Sequence, residues 1–403
     1  MKIERVEVFP VFPKTNYVKI TTDDGLTGWG EPVVEGRARA TAAAVTELRD
    51  SLIGQNPENI EDIFNLLYRG NFYKGGPVLM SAISGVEQAL WDIKGKRHNM
   101  PAYQLIGGAA KAKQRVYAWV HGETPEELGK NALIRLKQGY KYIKVCITEG
   151  MEWIGGHGAI EQAANMLGGI RDAVGDQLEV GVDFHGRVHK TMAAQLMKEI
   201  EPYRVLFVEE PVLPWNEEDL IDLHRVANIP IATGERLYTR WDFKKIFKTG
   251  AVDIIQPDLS HAGGLWEVRK IAAMAEAYDI AVAPHCPLGA IAFSACLHLD
   301  VATPNAFVQE QIIGVHNAVN GGDFEIEDKT QVGDGKFYMT SDPYILNARG
   351  LFEFEDGFVL LPKRPGLGVE VDEERMRLDA VRTDMPRWIQ PVWRLEDGTV
   401  TEW

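Results

Sequence analysis

The sequence predicts an α/β fold, a modified (β/α)8 barrel with an N-terminal α+β capping domain that the C-terminal tail completes. Three observations lead there. Between Asp183 and Glu310 a short apolar run ending in a charged or polar residue recurs, followed each time by a helix-length segment. The run ends Asp183, Glu209, Glu235, Asp258, His285 and Glu310 are 26, 26, 23, 27 and 25 residues apart, the length of one strand–helix unit. These runs do not alternate polar with apolar, the mark of strands buried on both faces by covering helices. The first 110 or so residues follow another pattern, strands in succession and then helices, as a separate α+β unit does.

From the N-terminus, KIERVEVFPV, NYVKITTDDG and LTGWGEPVV read as a three-stranded meander, with Asp24-Gly25 a turn signal between the last two. Helical periodicity follows over Ala38–Leu52, Ile60–Tyr68 and Met80–Lys96. From Gln114 the pattern becomes strand–helix–strand, with VYAWV and YIKVCI preceding the six runs above, which makes eight strands. Segments such as Thr191–Glu201 and Leu265–Tyr278 have helix length and periodicity, and the last barrel helix is expected to be altered. The tail beyond Gln311, rich in Gly, Pro and aromatics (PRWIQPVWR), is expected to fold back over the first domain. The expected domains are residues 1–112, 113–320 and 321–403.

The 403 residues are 45% hydrophobic, enough for more than one domain and a large core. A net charge of −15 and a pI near 5.2 argue against a nucleic-acid or anionic-membrane surface. They leave room for an anionic substrate beside a bound cation. Cys146, Cys286 and Cys296 are odd in number and lie in apolar runs, which points to a reducing compartment. No signal-peptide core opens the chain and no 18-residue apolar run interrupts it, so the expected location is cytoplasmic.

Chemistry concentrates at the strand ends. Asp183, Glu209 and Glu235 close three successive strands, about 4.8 Å apart in a barrel. Carboxylates that close repel unless a proton or cation sits among them, and three hard oxygen ligands suit Mg²⁺. The plainer reading, that each acid caps a helix or pairs with an arginine, fits one acid better than three in register. The 26-residue spacing favours Glu209 over Glu210, which is assigned to an ion pair. Asp258 and His285 close adjacent strands, and a carboxylate that fixes the tautomer of an imidazole makes a general base. His185, two residues beyond Asp183, is open to three readings: fourth ligand, general acid, or hydrogen-bonded core histidine. Glu310 hydrogen-bonds a developing oxyanion if it is protonated, or else forms a salt bridge.

These strand-end residues, with PDLSHAGG, APHCPLG and ALWDIKGK, resemble the enolase superfamily. GVDFHGR, EEPVLP, ATGERL and PGLGVE resemble its D-galactonate dehydratase family, and the likeness runs over nearly the whole chain. The resemblance implies dehydration of a sugar acid. Asp183, Glu209 and Glu235 would hold Mg²⁺, and His285, oriented by Asp258, would remove the proton at C2. Glu310 would help stabilise the enediolate, and His185 would protonate the departing 3-hydroxyl. Many superfamily members carry Lys-x-Lys on the second barrel strand, whereas this chain reads Lys144-Val145-Cys146. One face therefore has a base and the other none, which favours elimination over racemisation and an R-configured C2, as in D-galactonate.

Lys144 is a candidate for neutralising the substrate carboxylate, with a structural ion pair as the alternative. Candidates for reading the distal hydroxyls are Glu31, Pro32 and Arg37, Tyr73 and Lys74, and Arg187 beside the metal strand. The Gly-rich ITEGMEWIGGHGAI after the second strand is expected to be an active-site loop, with His157 more plausibly solvated than on substrate. Gluconate, mannonate or fuconate dehydration and a catalytically silent sugar-acid-binding protein stand as alternatives to D-galactonate dehydration. A racemase is weakened by Cys146, and a phosphoryl-transfer enzyme finds only the weak HAGG and PLGA segments. The expected partner is a small aldonate, with a homo-oligomer the usual state of such barrels.

Overall fold

The computed structural model describes residues 1–11, 15–226, 228–311, 344–382 and 392–402. Strands β1 (Ile3–Val11), β2 (Thr15–Thr22) and β3 (Thr27–Gly30) form the antiparallel meander. The β2–β3 turn closes through the Gly25 N–H, which donates to the Thr22 carbonyl at 3.0 Å. Helices α1 (Ala38–Leu52), α2 (Ile60–Arg69), α3 (Pro77–His98) and the short α4 (Ala102–Leu105) complete the cap. Helix α3 is buried without interruption from Met80 to Ile93, because the cap packs on one of its sides and the barrel on another. Strand β3 lies directly on it, for a Cβ at Gly30 would stand 1.8 Å from the Gly85 carbonyl oxygen.

The barrel runs β4 (Lys113–Trp119), α5 (Pro125–Lys137), β5 (Tyr142–Cys146), α6 (His157–Val174), β6 (Glu179–Asp183) and α7 (Lys190–Ile200). It continues β7 (Phe207–Glu209), α8 (Asp219–His224), β8 (Ile231–Thr233), α9 (Arg240–Thr249), β9 (Ile254–Ile255), α10 (Leu265–Glu276), β10 (Ala281–Val282), α11 (Ala290–Val301) and β11 (Gln309–Gln311). Neighbouring strands from β4 to β10 pair in parallel. The ring closes where β11 pairs with β4 and where Val282 bridges to Ala306. Tyr117, Phe207, Ala232, Ile254, Ala283 and Val308 pack together as the plug that fills the lumen. Helix starts follow the sequence: the hydroxyls of Thr124 and Thr239 accept from the N–H of Glu127 and Asp242.

Beyond the barrel come α12 (Ala348–Leu351), β12 (Phe354–Glu355), β13 (Phe358–Leu360) and α13 (Glu373–Ala380). Helix α13 does return to the cap, where Glu373 meets Lys19 at 2.7 Å and Arg377 meets Glu7 at 2.9 Å. The hairpin goes elsewhere. Residues 113–115 of β4 lie below its pairings with β5 and β11, and β13 takes up that edge in antiparallel register. The expected altered last helix and most of PRWIQPVWR fall outside the described residues. Among the described residues, no helix is long and apolar enough to cross a membrane.

Candidate active site

Parallel register brings the acids together. Asp183 pairs with Cys146 on one side and Glu209 on the other, so both carboxylates leave the barrel at the same level. One oxygen each of Asp183, Glu209 and Glu235 lies within 4.8 Å of the others. A Mg²⁺ ion with oxygens at about 2.1 Å holds opposed ligands roughly 4.2 Å apart, so small rotations would suffice. Asp183 Oδ2 is buried with ion-pair contacts of 3.2 Å to Lys144 and to His185, but no aligned hydrogen bond. Glu209 accepts from Lys144 Nζ and from Gln256 Nε2, each at 2.6 Å. Burial and the Asp183 charge push Glu209 well above the usual carboxylate range; burial and Glu210 push Glu235 up to about 8. Burial would raise Asp183 as well, but His185 and Lys144 hold it at about 2. Repulsion that Lys144 and His185 relieve only in part, with an Asp183 oxygen that makes no aligned hydrogen bond among the described residues, is what a set of hard donors shaped for a divalent cation presents. Glu210 points away into an ion pair with Arg236, as its place beside Glu209 predicts.

The imidazoles flank this cluster. His285 Nδ1 lies 2.8 Å from Asp258 Oδ2, while its Nε2 faces Glu235 at 3.2 Å. Asp258 is itself fixed, since its Oδ1 accepts the Ser260 N–H at 2.6 Å. Burial opposes charge on His285, yet Glu310, Glu235 and Asp258 hold its pKa well above the ordinary value. His185 sits at φ +50°, a left-handed conformation rare for a residue with a side chain. Its N–H donates to Asp183 Oδ1 at 2.8 Å and its Nε2 faces Asp183 Oδ2. Burial lowers its pKa to about 4.

Lys144 is fully buried in the middle of the acids, 2.6 Å from Glu209, 3.0 Å from Glu310 and 3.2 Å from Asp183. Glu310 accepts on both oxygens, from Trp119 Nε1 at 2.6 Å and from the Cys286 N–H at 2.9 Å. Against the upward push of burial, Lys144 and His285 hold its pKa below the ordinary value. Glu310 is thus in the salt-bridge state here, and donation to an oxyanion would require it first to take up a proton. The thiol of Cys146 contacts the Thr148 hydroxyl at 3.5 Å, and burial pushes its pKa up to about 12.

Comparison with known proteins places this geometry. Residues 127–375 match the model "Enolase C-terminal domain-like", and residues 14–107 match "Mandelate racemase / muconate lactonizing enzyme, N-terminal domain". A D-galactonate dehydratase of Ralstonia pickettii is 47% identical over 407 residues, covering all of both chains. One from Pectobacterium atrosepticum is 47% identical over 403 residues, again covering all of both. The chain belongs to the D-galactonate dehydratase family of the enolase superfamily. A crystal structure of an Agrobacterium radiobacter enolase with sodium and L-malate bound covers all of both chains, with a TM-score of 0.87 at 32% identity.

As in a capped superfamily barrel, the family's N-terminal domain here is stitched to the strand ends. Helix α3 offers Ser81, Ser84, Glu87 and Gln88 along one face. Ser81 meets His261 Nδ1 at 2.8 Å, Ser84 accepts the Gly263 N–H, and Gln88 donates to Ser260. Glu87 accepts the N–H groups of Leu265 and Trp266 at the start of α10. Gly264, at φ +94°, leaves the space that Glu87 needs. This seam grips the loop that carries Asp258, a coupling that no single sequence motif discloses.

Glu31, expected to read distal hydroxyls, is placed otherwise. Glu31 is fully buried, and its carboxylate accepts from the N–H groups of Gly289 and Ala292 at the start of α11, where a helix N-terminus favours negative charge. Tyr73 is 83% exposed in the α2–α3 connection, its ring against Phe72. Pro32 is buried, while Arg37 and Lys74 are exposed. Arg187 remains beside the acids, its guanidinium 3.9 Å from Cys146 Sγ and stacked on the tail residue Trp393 at 4.3 Å. His157 is exposed and pairs with Glu161, the solvated alternative. Sequence reading missed Trp119 and Gln256, because a strand-end indole or amide resembles ordinary core until its partners are known.

Proposed function

We propose that this chain catalyses Mg²⁺-dependent dehydration of a sugar acid, D-galactonate in the first instance, to 2-dehydro-3-deoxy-D-galactonate and water. The observation that carries the reading is the arrangement of two imidazoles about one carboxylate trio: His285 backed by Asp258, and His185 held against Asp183. The names of the 47%-identical relatives support the substrate, and the L-malate in the Agrobacterium structure supports recognition of a 2-hydroxy acid. Held by Asp183, Glu209 and Glu235, Mg²⁺ would supply positive charge that offsets the three carboxylates, frees His285 to be neutral and polarises the substrate carboxylate.

His285 takes the C2 proton on Nε2 while Asp258 fixes Nδ1 and stabilises the imidazolium. Negative charge moves onto the substrate carboxylate; Lys144, held 3.0 Å from Glu310, is the cation assigned to share it. His185 delivers a proton to the departing 3-hydroxyl, and its contact with Asp183 partly opposes the burial that favours the neutral ring. The enol then tautomerises to the 2-keto-3-deoxy acid. Cys146 stands where a second lysine would place a base on the other face, so proton removal is one-sided. A cytoplasmic location suits such a catabolic step.

The test is a panel of hexonates, pentonates and deoxyhexonates with Mg²⁺, scored for 2-keto-3-deoxy products, with EDTA and His285→Asn as controls. Turnover of D-galactonate, lost in both controls, is the expected result. Turnover of gluconate, mannonate or fuconate instead would overturn the substrate and keep the chemistry. No turnover of any acid would overturn the enzyme in favour of a binding protein.

A further inference from the structure

Trp119, at the end of β4, stands apart from the apolar core. The lumen plug forms without it, and its apolar neighbour in its own small cluster is Cys146. Its polar contacts are many. The indole N–H donates to Glu310 Oε1 at 2.6 Å, a short charge-assisted bond. Its ring runs within 9° of parallel to the His185 imidazole, centroids 6.1 Å apart, and equally parallel to His121 at 5.5 Å. Lys144, its register neighbour on β5, places Nζ 4.4 Å from the ring centroid. One flat, rigid side chain thus touches three charged or protonatable groups of the site on three different strands or strand ends.

We propose that Trp119 is a positioning residue for the dehydration, its N–H fixing Glu310 and its ring face fixing His185 for proton delivery to the leaving hydroxyl. This rests on the dehydratase reading above. The His185 imidazole meets Asp183 at one edge, and the near-parallel indole plate beside its face limits how far the ring can turn. Two functions in one residue predict two separable defects.

Trp119→Phe deletes the N–H and keeps a ring; Trp119→Leu deletes both. Each is assayed with Mg²⁺ on whichever sugar acid the wild type dehydrates, with deuterium uptake at C2 of recovered substrate followed by proton NMR in D₂O. Melting temperature is measured alongside. For Trp119→Phe we expect kcat to fall about tenfold with KM within about twofold, exchange and dehydration falling together, because both follow a step that Glu310 supports. For Trp119→Leu we expect dehydration to fall about a hundredfold and the ratio of exchange to dehydration to rise, since His285 and Asp258 remain intact while the His185 ring loses the plate that orients its face. A Trp119→Phe enzyme with wild-type kcat, or one in which only KM moves, overturns the proposal. So does an unchanged exchange-to-dehydration ratio in a folded Trp119→Leu. If Trp119→Leu fails to fold, the kcat and KM of Trp119→Phe decide alone. A wild type that dehydrates no sugar acid refutes the dehydratase reading itself, a result distinguishable from all of these.

Discussion

The imidazole of His285 faces Glu235 and Glu310 through Nε2 and is tied to Asp258 through Nδ1, so its replacement isolates one chemical role. His285→Asn should lower kcat by about 10³-fold or more and abolish deuterium uptake at C2, whereas His185→Asn should abolish dehydration and leave some uptake, read by NMR of recovered substrate. Asp300 on α11 carries a different message. Among the described residues both its oxygens are buried without a hydrogen-bond partner, and burial raises its pKa to about 8, opposed by the charge of Lys111. Below the unfolded value of 3.8 the acid is neutral in both states. As pH climbs from there toward 8 the unfolded chain ionises first, and stability is lost at up to about 1.4 kcal/mol per pH unit. Asp300→Asn should therefore melt higher than the wild type, by a margin that widens from pH 5 to pH 8 and then levels off, in a scanning fluorimetry series. At this scale the acids and imidazoles were legible, because each closes an apolar run at a fixed interval. Glu31 was not: an acid in a loop does not reveal that a helix 258 residues later will begin against it.

Elements show why the loop after β9 is glycine-rich. Gly263 and Gly264 both lie at positive φ, and a Cβ on Gly264 would meet Glu87 Oε2 at 2.1 Å. Gly264→Ala should destabilise the protein by about 3 kcal/mol through strain and a displaced cap, lowering the melting temperature by several degrees. It should also lower kcat, because the shifted loop carries Asp258. Helix and strand positions followed from periodicity, and Ala38–Leu52 and the start of α10 at Leu265 match to the residue. The β12–β13 hairpin did not, since what it completes is an unpaired edge of β4 more than 200 residues earlier, visible only once the barrel is closed.

Across the whole molecule, charge and fold are joined at the strand ends. The acid cluster should make stability depend on Mg²⁺: at a hundred times the dissociation constant, binding would add about 2.7 kcal/mol. Addition of Mg²⁺ should raise the melting temperature, EDTA should reverse the rise, and Asp183→Asn should remove the response. The eightfold architecture was readable because one interval repeats; the seam between cap and barrel was not, because it is written in scattered serines, amides and carboxylates. That seam has a consequence for anyone building chimeras within the family. Caps are natural units to exchange when altering substrate preference, but here the cap's own helix α3 holds the loop that carries Asp258, the partner of the proposed base His285. A transplanted cap that differs at Ser81, Ser84, Glu87 or Gln88 would bring new specificity to a disarmed base, so graft boundaries belong outside α3, with that helix left to its native barrel.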